Sequence, residues 1–122
     1  MPDLDESLHQ ILRADGVKSV AVVDVGTGMV VRAAGELGTG LRAAAASAAD
    51  EARLVTTALG GSQAGGRLEE ILLTTPSRCH LLRILDWRQG EGLLLFADIS
   101  RSHTNISLAG RQFAQAAPAI LA

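Results

Sequence analysis

The residues best suited to catalysis lie close together near the C-terminus. Asp98, Ser100, Ser102 and His103 place an acid, two hydroxyls and an imidazole within six residues. A serine nucleophile needs a base within hydrogen-bond reach and a third group that orients the base. No nucleophile-elbow sequence surrounds either serine, and such residues commonly cap the start of a helix. We therefore interpret the cluster as a strand-to-helix turn and predict no catalytic residue. Hydrolysis by Ser100 or Ser102 with His103 is left as an alternative.

Metal and nucleotide binding have little support in the sequence. Cys79 and His80 are adjacent on a predicted strand, so their side chains point to opposite faces and cannot share one ion. The glycines of Gly26-Thr27-Gly28 are followed by neither a lysine nor a helix, as a phosphate-binding loop requires. We predict a hairpin turn there, with the Asp24 carboxylate capping it. The sequence predicts no metal and no cofactor.

Composition places the chain among small globular proteins. Its 122 residues suit one domain, 1–122, and 48% hydrophobic with 20% charged residues excludes a disordered chain. A net charge of −2 and only three aromatic residues argue against nucleic-acid binding. No uncharged run reaches the roughly 20 residues of a membrane span. The single cysteine and the acidic N-terminus lead us to expect a cytoplasmic protein without membrane insertion.

Hydrophobic periodicity predicts eight elements. Apolar residues recur at helical spacing over residues 3–14 and 40–59, and again in a last helix that opens at Thr104 or Asn105 and carries Ile106, Ala109, Phe113, Ala116 and Ile120. Five strands are predicted at Lys18–Val25, Met29–Ala33, Leu68–Thr75, Arg78–Asp86 and Gly92–Ile99. Their short connections favour antiparallel pairing. The predicted fold is α+β, in the order α-β-β-α-β-β-β-α, with helices on the faces of one five-stranded antiparallel sheet.

The second helix is rich in alanine. One unbroken seam runs through Leu41, Ala45, Ala48, Ala52, Val55 and Leu59, and another stripe through Ala43, Ser47, Asp50, Leu54 and Thr57. Small side chains let a second helix axis approach to about 8 Å. The helix is either a buried core helix or one that packs both on its own sheet and on a copy of itself. We favour the second interpretation because a domain this small rarely buries a helix on two sides.

The order of three segments resembles the roadblock (dynein light chain roadblock-type) domain family, in particular its bacterial MglB-like members. These segments are the Val17–Val31 hairpin, the alanine-rich helix Leu41–Leu59, and Leu93-Leu-Leu-Phe-Ala-Asp-Ile followed by Asn105-Ile-Ser-Leu-Ala-Gly-Arg. The resemblance covers about residues 4–121. It implies the same α+β sheet, and the lack of a catalytic motif in the sequence predicts a non-enzymatic protein.

The resemblance also implies partners. Family members form homodimers in which the second helices pack together and the third strands pair, and the bacterial members regulate small Ras-like GTPases. We therefore predict a dimer interface formed by the seam residues Leu41, Ala45, Ala48, Ala52, Val55 and Leu59 and by Leu68, Ile71 and Leu73 of the third strand. The charges of the long helix, Arg42, Asp50, Glu51 and Arg53, are the predicted GTPase-facing residues.

A ligand-binding function is the alternative from another class. A profilin- or PAS-like sensor would have a pocket between its sheet and its helices. The scarcity of aromatic residues and of converging polar groups in the sequence argues against such a pocket.

Overall fold

A computed structural model describes residues 4–14, 16–36, 38, 40–59, 68–88, 91–100, 110, 111, 114 and 115. Two helices and five strands are assigned within these residues: α1 (Leu4–Leu12), β1 (Val17–Asp24), β2 (Val30–Gly35), α2 (Gly40–Ala58), β3 (Glu70–Thr74), β4 (Arg78–Arg88) and β5 (Glu91–Ser100). The predicted elements up to residue 100 are confirmed, with ends that shift by a few residues. The start of the predicted last helix lies outside the described residues, but Gly110, Arg111, Ala114 and Gln115 are helical.

The strands form one antiparallel sheet in the order β2-β1-β5-β4-β3. Two local units, the β1–β2 hairpin and the β3–β4–β5 meander, join where β1 pairs with β5. This pairing places the last strand at the centre and leaves β2 and β3 as the two edges. The predicted α+β class with one antiparallel sheet is confirmed.

One face of the sheet is covered by α1, a short amphipathic helix that packs on β1 and β2. Leu8 and Ile11 of α1 are fully buried against large apolar side chains of the strands, among them Val20, Leu81 and Leu95. Cys79 also lies in this cluster and is fully buried. A β-carbon added at Gly110 would lie 4.0 Å from Leu81 Cδ2, so Gly110 approaches this same face.

The other face is covered by α2, which packs on β1 and β5. Ala45, Ala48, Ala49 and Ala52 are buried against strand residues that include Ala21, Val23, Leu82, Leu94 and Phe96. Alanine on the buried side lets the helix lie close to the sheet without the volume of larger side chains. Among the described residues, α2 makes its main contacts with the inner strands β1 and β5, and Leu82 of β4 also joins this cluster.

The turn of the β1–β2 hairpin is fixed by its own residues and by α2. The Asp24 carboxylate accepts hydrogen bonds from the amides of Gly26 (2.9 Å) and Thr27 (3.2 Å), which confirms the predicted cap. Gly28 has a φ of 76°, and a β-carbon there would lie 3.3 Å from the Ala46 Cα. A glycine is needed at this position because both the backbone angle and the closeness of the helix disfavour a side chain.

Candidate functional site

The alanine seam of α2 faces its own sheet. Ala45, Ala48 and Ala52 are at most 1% exposed, and Leu41 and Val55 are partly buried. Leu59, just past the helix end, is the seam residue that is most open, at 41% exposed. The three buried alanines therefore have their packing partners within one chain. Their predicted role in a dimer interface stays a prediction.

The outward face of α2 presents the other predicted stripe. Ala43, Ser47, Asp50, Leu54 and Thr57 lie along it, and Leu54 is the most open of the large side chains there, at 70% exposed. Apart from Leu54, the side chains of this stripe are small or short. A second helix could therefore pack closely against this stripe, and the Leu54 side chain could pack into a groove between side chains of that helix.

The β3 edge strand is the second surface open to a partner. Leu73 lies opposite His80 and is 39% exposed, while Leu72 lies opposite Leu81 on the other face and is 48% exposed. Leu68 and Ile71 are partly buried on the α2 side. Because α2 packs on β1 and β5, the apolar side chains of β3 on this face are only partly covered. We use the name open surface for two features together: the outward stripe of α2, which contains Leu54, and the edge strand β3.

The four charged residues predicted to face a partner differ in their surroundings. Arg42 and Asp50 are exposed. Arg53 donates hydrogen bonds to the Val25 carbonyl and to the Asp50 carboxylate, so it ties α2 to the hairpin turn. Glu51 is partly buried, and this burial is the main reason that its pKa lies above the usual range; the charge of His80 opposes the rise and that of Asp50 adds to it.

A polar row crosses the α2-facing side of the sheet at the end nearest the start of α2. Ser19 of β1 lies opposite Asp98 of β5, which in turn lies opposite His80 of β4. The Asp98 carboxylate accepts a hydrogen bond from Arg78 Nε (3.1 Å) and a second from Arg78 Nη2. The His80 Nε2 is 3.5 Å from Asp98 Oδ1, and its ring makes an edge-on contact with Phe96 at 5.0 Å.

The polar row lies in a cleft of about 660 Å³ between the sheet and the first turns of α2. Besides the row, the lining residues are Glu36, Gly38, Gly40, Leu41, Ala44, Leu73, Thr75, Ser77 and Phe96. We call this feature the polar cleft. It shares Leu73 with the open surface, so the two features are neighbours.

The polar row does not have the geometry of a serine hydrolase. In a catalytic triad the imidazole stands between the hydroxyl and the carboxylate. Here Asp98 stands between Ser19 and His80. Neighbouring strands are about 4.8 Å apart, which separates Ser19 from His80 by roughly two strand spacings and rules out a hydrogen bond between them. The arrangement suits binding better than nucleophilic catalysis.

The cluster that first suggested catalysis is divided by the structure. Asp98 joins Arg78 and His80 in the polar row, and Ser100 ends β5. Ser102 and His103 lie outside the described residues. Cys79 and His80 do point to opposite faces, as predicted, with Cys79 in the α1-side cluster and His80 against Phe96. Within the described part of the chain, no three His, Cys, Asp or Glu side chains converge as metal ligands would.

Sequence reasoning did not bring Ser19, Arg78, His80 and Asp98 together. Their alternation along three strands gave a partial signal, because Arg78 and His80 are two residues apart and so share a face. The pairing registers of β1 with β5 and of β4 with β5 supply the rest. The β4–β5 register at His80 also depends on a bulge between Ile84 and Asp86, which the sequence pattern does not reveal.

The fold matches that of roadblock and MglB proteins. A roadblock/LC7 domain from Streptomyces avermitilis superposes with a TM-score of 0.80 at 18% identity, over 97% of this chain and 94% of that one. An MglB in a tetrameric arrangement gives 0.79 at 19% identity, over 96% of this chain and 84% of that one. The gliding protein MglB from Thermus thermophilus gives 0.79 at 17% identity, with the same coverage of 96% and 84%.

These similarities confirm the predicted resemblance at the level of the fold. No protein-family model matches the chain, and no curated protein matches it either. Among the described residues, neither helix has the combination of length and apolar character needed to cross a membrane.

Proposed function

We propose that this chain is a non-enzymatic, homodimeric regulator or scaffold of a small Ras-like GTPase. The observation that carries the proposal is the open surface, where Leu54 and Leu73 leave apolar side chains uncovered on a fold shared with MglB. Exposed apolar patches on a small domain often mark a surface that another protein covers. The proposed role is to activate the GTPase or to tether it.

A second copy of the chain suits the open surface. The edge strand β3 pairs with β4 on one side, so its other side can pair with the same strand of a copy, and pairing would also protect an edge prone to aggregation. The small outward side chains of α2 would let two such helices approach. An MglB of similar fold adopts a tetrameric arrangement, which agrees with self-assembly.

The dimer is tested by placing a charge on the open surface. We expect Leu54→Glu and Leu73→Glu to give monomers in light scattering coupled to size exclusion, because a dimer interface would bury an unpaired carboxylate. Val31→Glu is the matched control, since Val31 is 53% exposed on the opposite edge strand β2. An arginine at Ala48 would test folding rather than dimerisation, because Ala48 is 1% exposed against its own sheet.

A dimer that survives both charge substitutions would contradict the assignment of this interface. A wild-type chain that is monomeric throughout would contradict the homodimer altogether.

The GTPase is tested by affinity capture from a lysate of the source cells, with GDP in one arm and a non-hydrolysable GTP analogue in the other. A small GTPase retained only with the analogue supports a regulator of the active state, and equal retention supports a scaffold. Arg42→Glu should weaken capture, with the exposed Arg13→Glu as its control. Capture of no GTPase in either arm would overturn the functional proposal and leave the fold unaffected.

A further inference from the structure

The polar cleft contains a hydroxyl that the described residues leave without a hydrogen bond. Ser19 is 2% exposed, lines the cleft, and makes no hydrogen bond through its hydroxyl to the described part of the chain. Polar groups that are buried usually have a hydrogen-bond partner, because leaving one unpaired is costly. Among the described residues, the enclosed side-chain oxygens without a partner belong to Ser7 and Thr56, so the Ser19 Oγ is open to the cleft, from which a ligand can supply its partner.

The charged residues of the cleft also leave donors free. Asp98 uses both carboxylate oxygens on Arg78, and His80 approaches one of them. Since Arg78 spends Nε and one Nη2 hydrogen on this pair, its Nη1 group is available. Asp98 thus neutralises and orients the guanidinium, and Arg78 still presents N–H groups to the cleft, where its side chain is 47% exposed.

The start of α2 adds further donors on the opposite wall. The first amides of a helix have no intrahelical acceptor and carry a partial positive charge. The Leu41 amide donates a hydrogen bond to the Gly38 carbonyl at 3.1 Å, and no backbone acceptor among the described residues is found for the amides of Gly40 and Arg42. The first turn of α2 contains no acidic residue that would balance this charge.

We propose that the polar cleft binds a small organic oxyanion, with a phosphate or carboxylate head on an apolar body. The head would contact Arg78, the Ser19 hydroxyl and the first turn of α2. The body would lie against Leu41, Leu73 and Phe96, which are the large apolar residues of the lining. A volume of about 660 Å³ is in the range of small-molecule sites. This inference does not rest on the proposed GTPase or dimer, although the cleft shares Leu73 with the open surface.

Glu36 provides a test of the sign of the ligand charge. It is exposed, lines the cleft, and is the carboxylate there that has no guanidinium bound to it among the described residues. Its charge helps to hold the pKa of Arg78 above the usual value, although the hydrogen bond from Arg78 to Asp98 is the main cause. An anion in the cleft is repelled by Glu36, so Glu36→Gln should tighten its binding, whereas a cation would bind more weakly to that variant.

The experiment is a titration of the wild-type chain followed by amide NMR, with phenyl phosphate, benzoate and inorganic phosphate as separate probes and sodium chloride as the ionic-strength control. We expect saturable shifts at Gly38, Gly40 and Ser77, and tighter binding of the two aromatic anions than of inorganic phosphate. Comparison of the affinities for phenyl phosphate and benzoate shows whether the cleft prefers a phosphate or a carboxylate group. Shifts that are spread over the chain, or that chloride reproduces, would overturn the proposal.

Variants separate binding from folding. Arg78→Gln should lower the affinity for the tighter-binding of phenyl phosphate and benzoate by about tenfold or more, as expected for loss of a charged hydrogen bond. Ser19→Ala should weaken it by a smaller factor. Arg83→Gln is the matched control, because Arg83 is also a β4 arginine paired with a neighbouring carboxylate, Glu70 at 3.0 Å, but its side chain lies on the other face.

Arg78→Gln leaves Asp98 without its ion pair, so Arg78→Gln/Asp98→Asn is a second variant that removes both charges. The same loss of binding in a folded double variant supports the site. Unchanged affinity in Ser19→Ala and in a folded Arg78 variant would overturn it, as would weaker binding to Glu36→Gln.

Discussion

The two faces of the sheet are built in different ways. On the α1 face, Leu8 and Ile11 pack against large side chains of the central strands, and only at the β3 edge is a large apolar side chain of the described strands left open on this face, that of Leu72. On the α2 face, four alanines let the helix lie close to β1 and β5. Apolar side chains of β3 stay partly uncovered on this face, and the polar row lies at the end nearest the start of α2. The first face is specialised for stability. The second face combines a helix whose buried side chains are small with surfaces that another molecule can contact.

This difference predicts opposite sensitivities to side-chain volume. A face packed with large side chains loses stability when volume is removed, because the neighbours close the cavity only in part. A face packed with alanine loses stability when volume is added, because a larger side chain forces the helix away from the sheet. The predictions below test each half of this contrast.

The largest effect is expected for Leu8→Ala on the α1 face. Leu8 is completely buried, and such substitutions lower the free energy of unfolding by about 2–5 kcal/mol. Urea denaturation monitored by far-UV circular dichroism measures the change. Val31→Ala, at a position that is 53% exposed, should change stability by well under half as much. Similar losses in both variants would mean that the α1 face is not a tightly packed core.

A smaller loss is expected for Ala48→Leu on the α2 face. Ala48 is 1% exposed between the helix and the sheet, so the added carbons should lower the free energy of unfolding by about 1–3 kcal/mol. Ala58→Leu, at an exposed position at the end of the same helix, keeps the change in residue type and removes the crowding. If Ala48→Leu were as stable as Ala58→Leu, the α2 face would be loosely packed and the contrast between the faces would fail.

Most of the fold follows from local patterns in the sequence. The seam of α2 and the runs of apolar residues in β1 and β5 have periods that identify helix and strand, and short connections require antiparallel neighbours. The β3–β4–β5 meander and the β1–β2 hairpin are both local in sequence. Pairing of β1 with β5 is not, and it decides which strands become edges.

The candidate sites were harder to predict for the same reason. The seam identifies the buried side of α2 but does not say whether a sheet or a second helix covers it; the structure supplies the sheet for Ala45, Ala48 and Ala52. The polar row depends on strand registers that join Ser19, Asp98 and His80 over a long sequence separation. The sequence also could not show how exposed Arg53 is, because this depends on its hydrogen bond to Val25, which joins α2 to a turn distant in sequence.

The smallest effect concerns Glu51, a partly buried carboxylate of α2. Its pKa is raised, chiefly by burial, so the folded chain binds a proton at this group more tightly than the unfolded chain does. This group therefore contributes most to stability below the ordinary carboxyl pKa, and its contribution falls as the pH rises through the higher folded value. At neutral pH the ionised side chain carries a desolvation cost that Glu51→Gln removes.

We expect Glu51→Gln to be more stable than wild type at pH 7 by up to about 0.5 kcal/mol, since partly exposed groups have small effects. The gain should disappear near pH 3, where Glu51 is protonated in both states. Denaturation at both pH values, with the exposed Glu69→Gln as control, measures the difference. Destabilisation by Glu51→Gln at pH 7 would mean that the attraction of His80 outweighs burial, and that this carboxylate helps to hold α2 over the polar row.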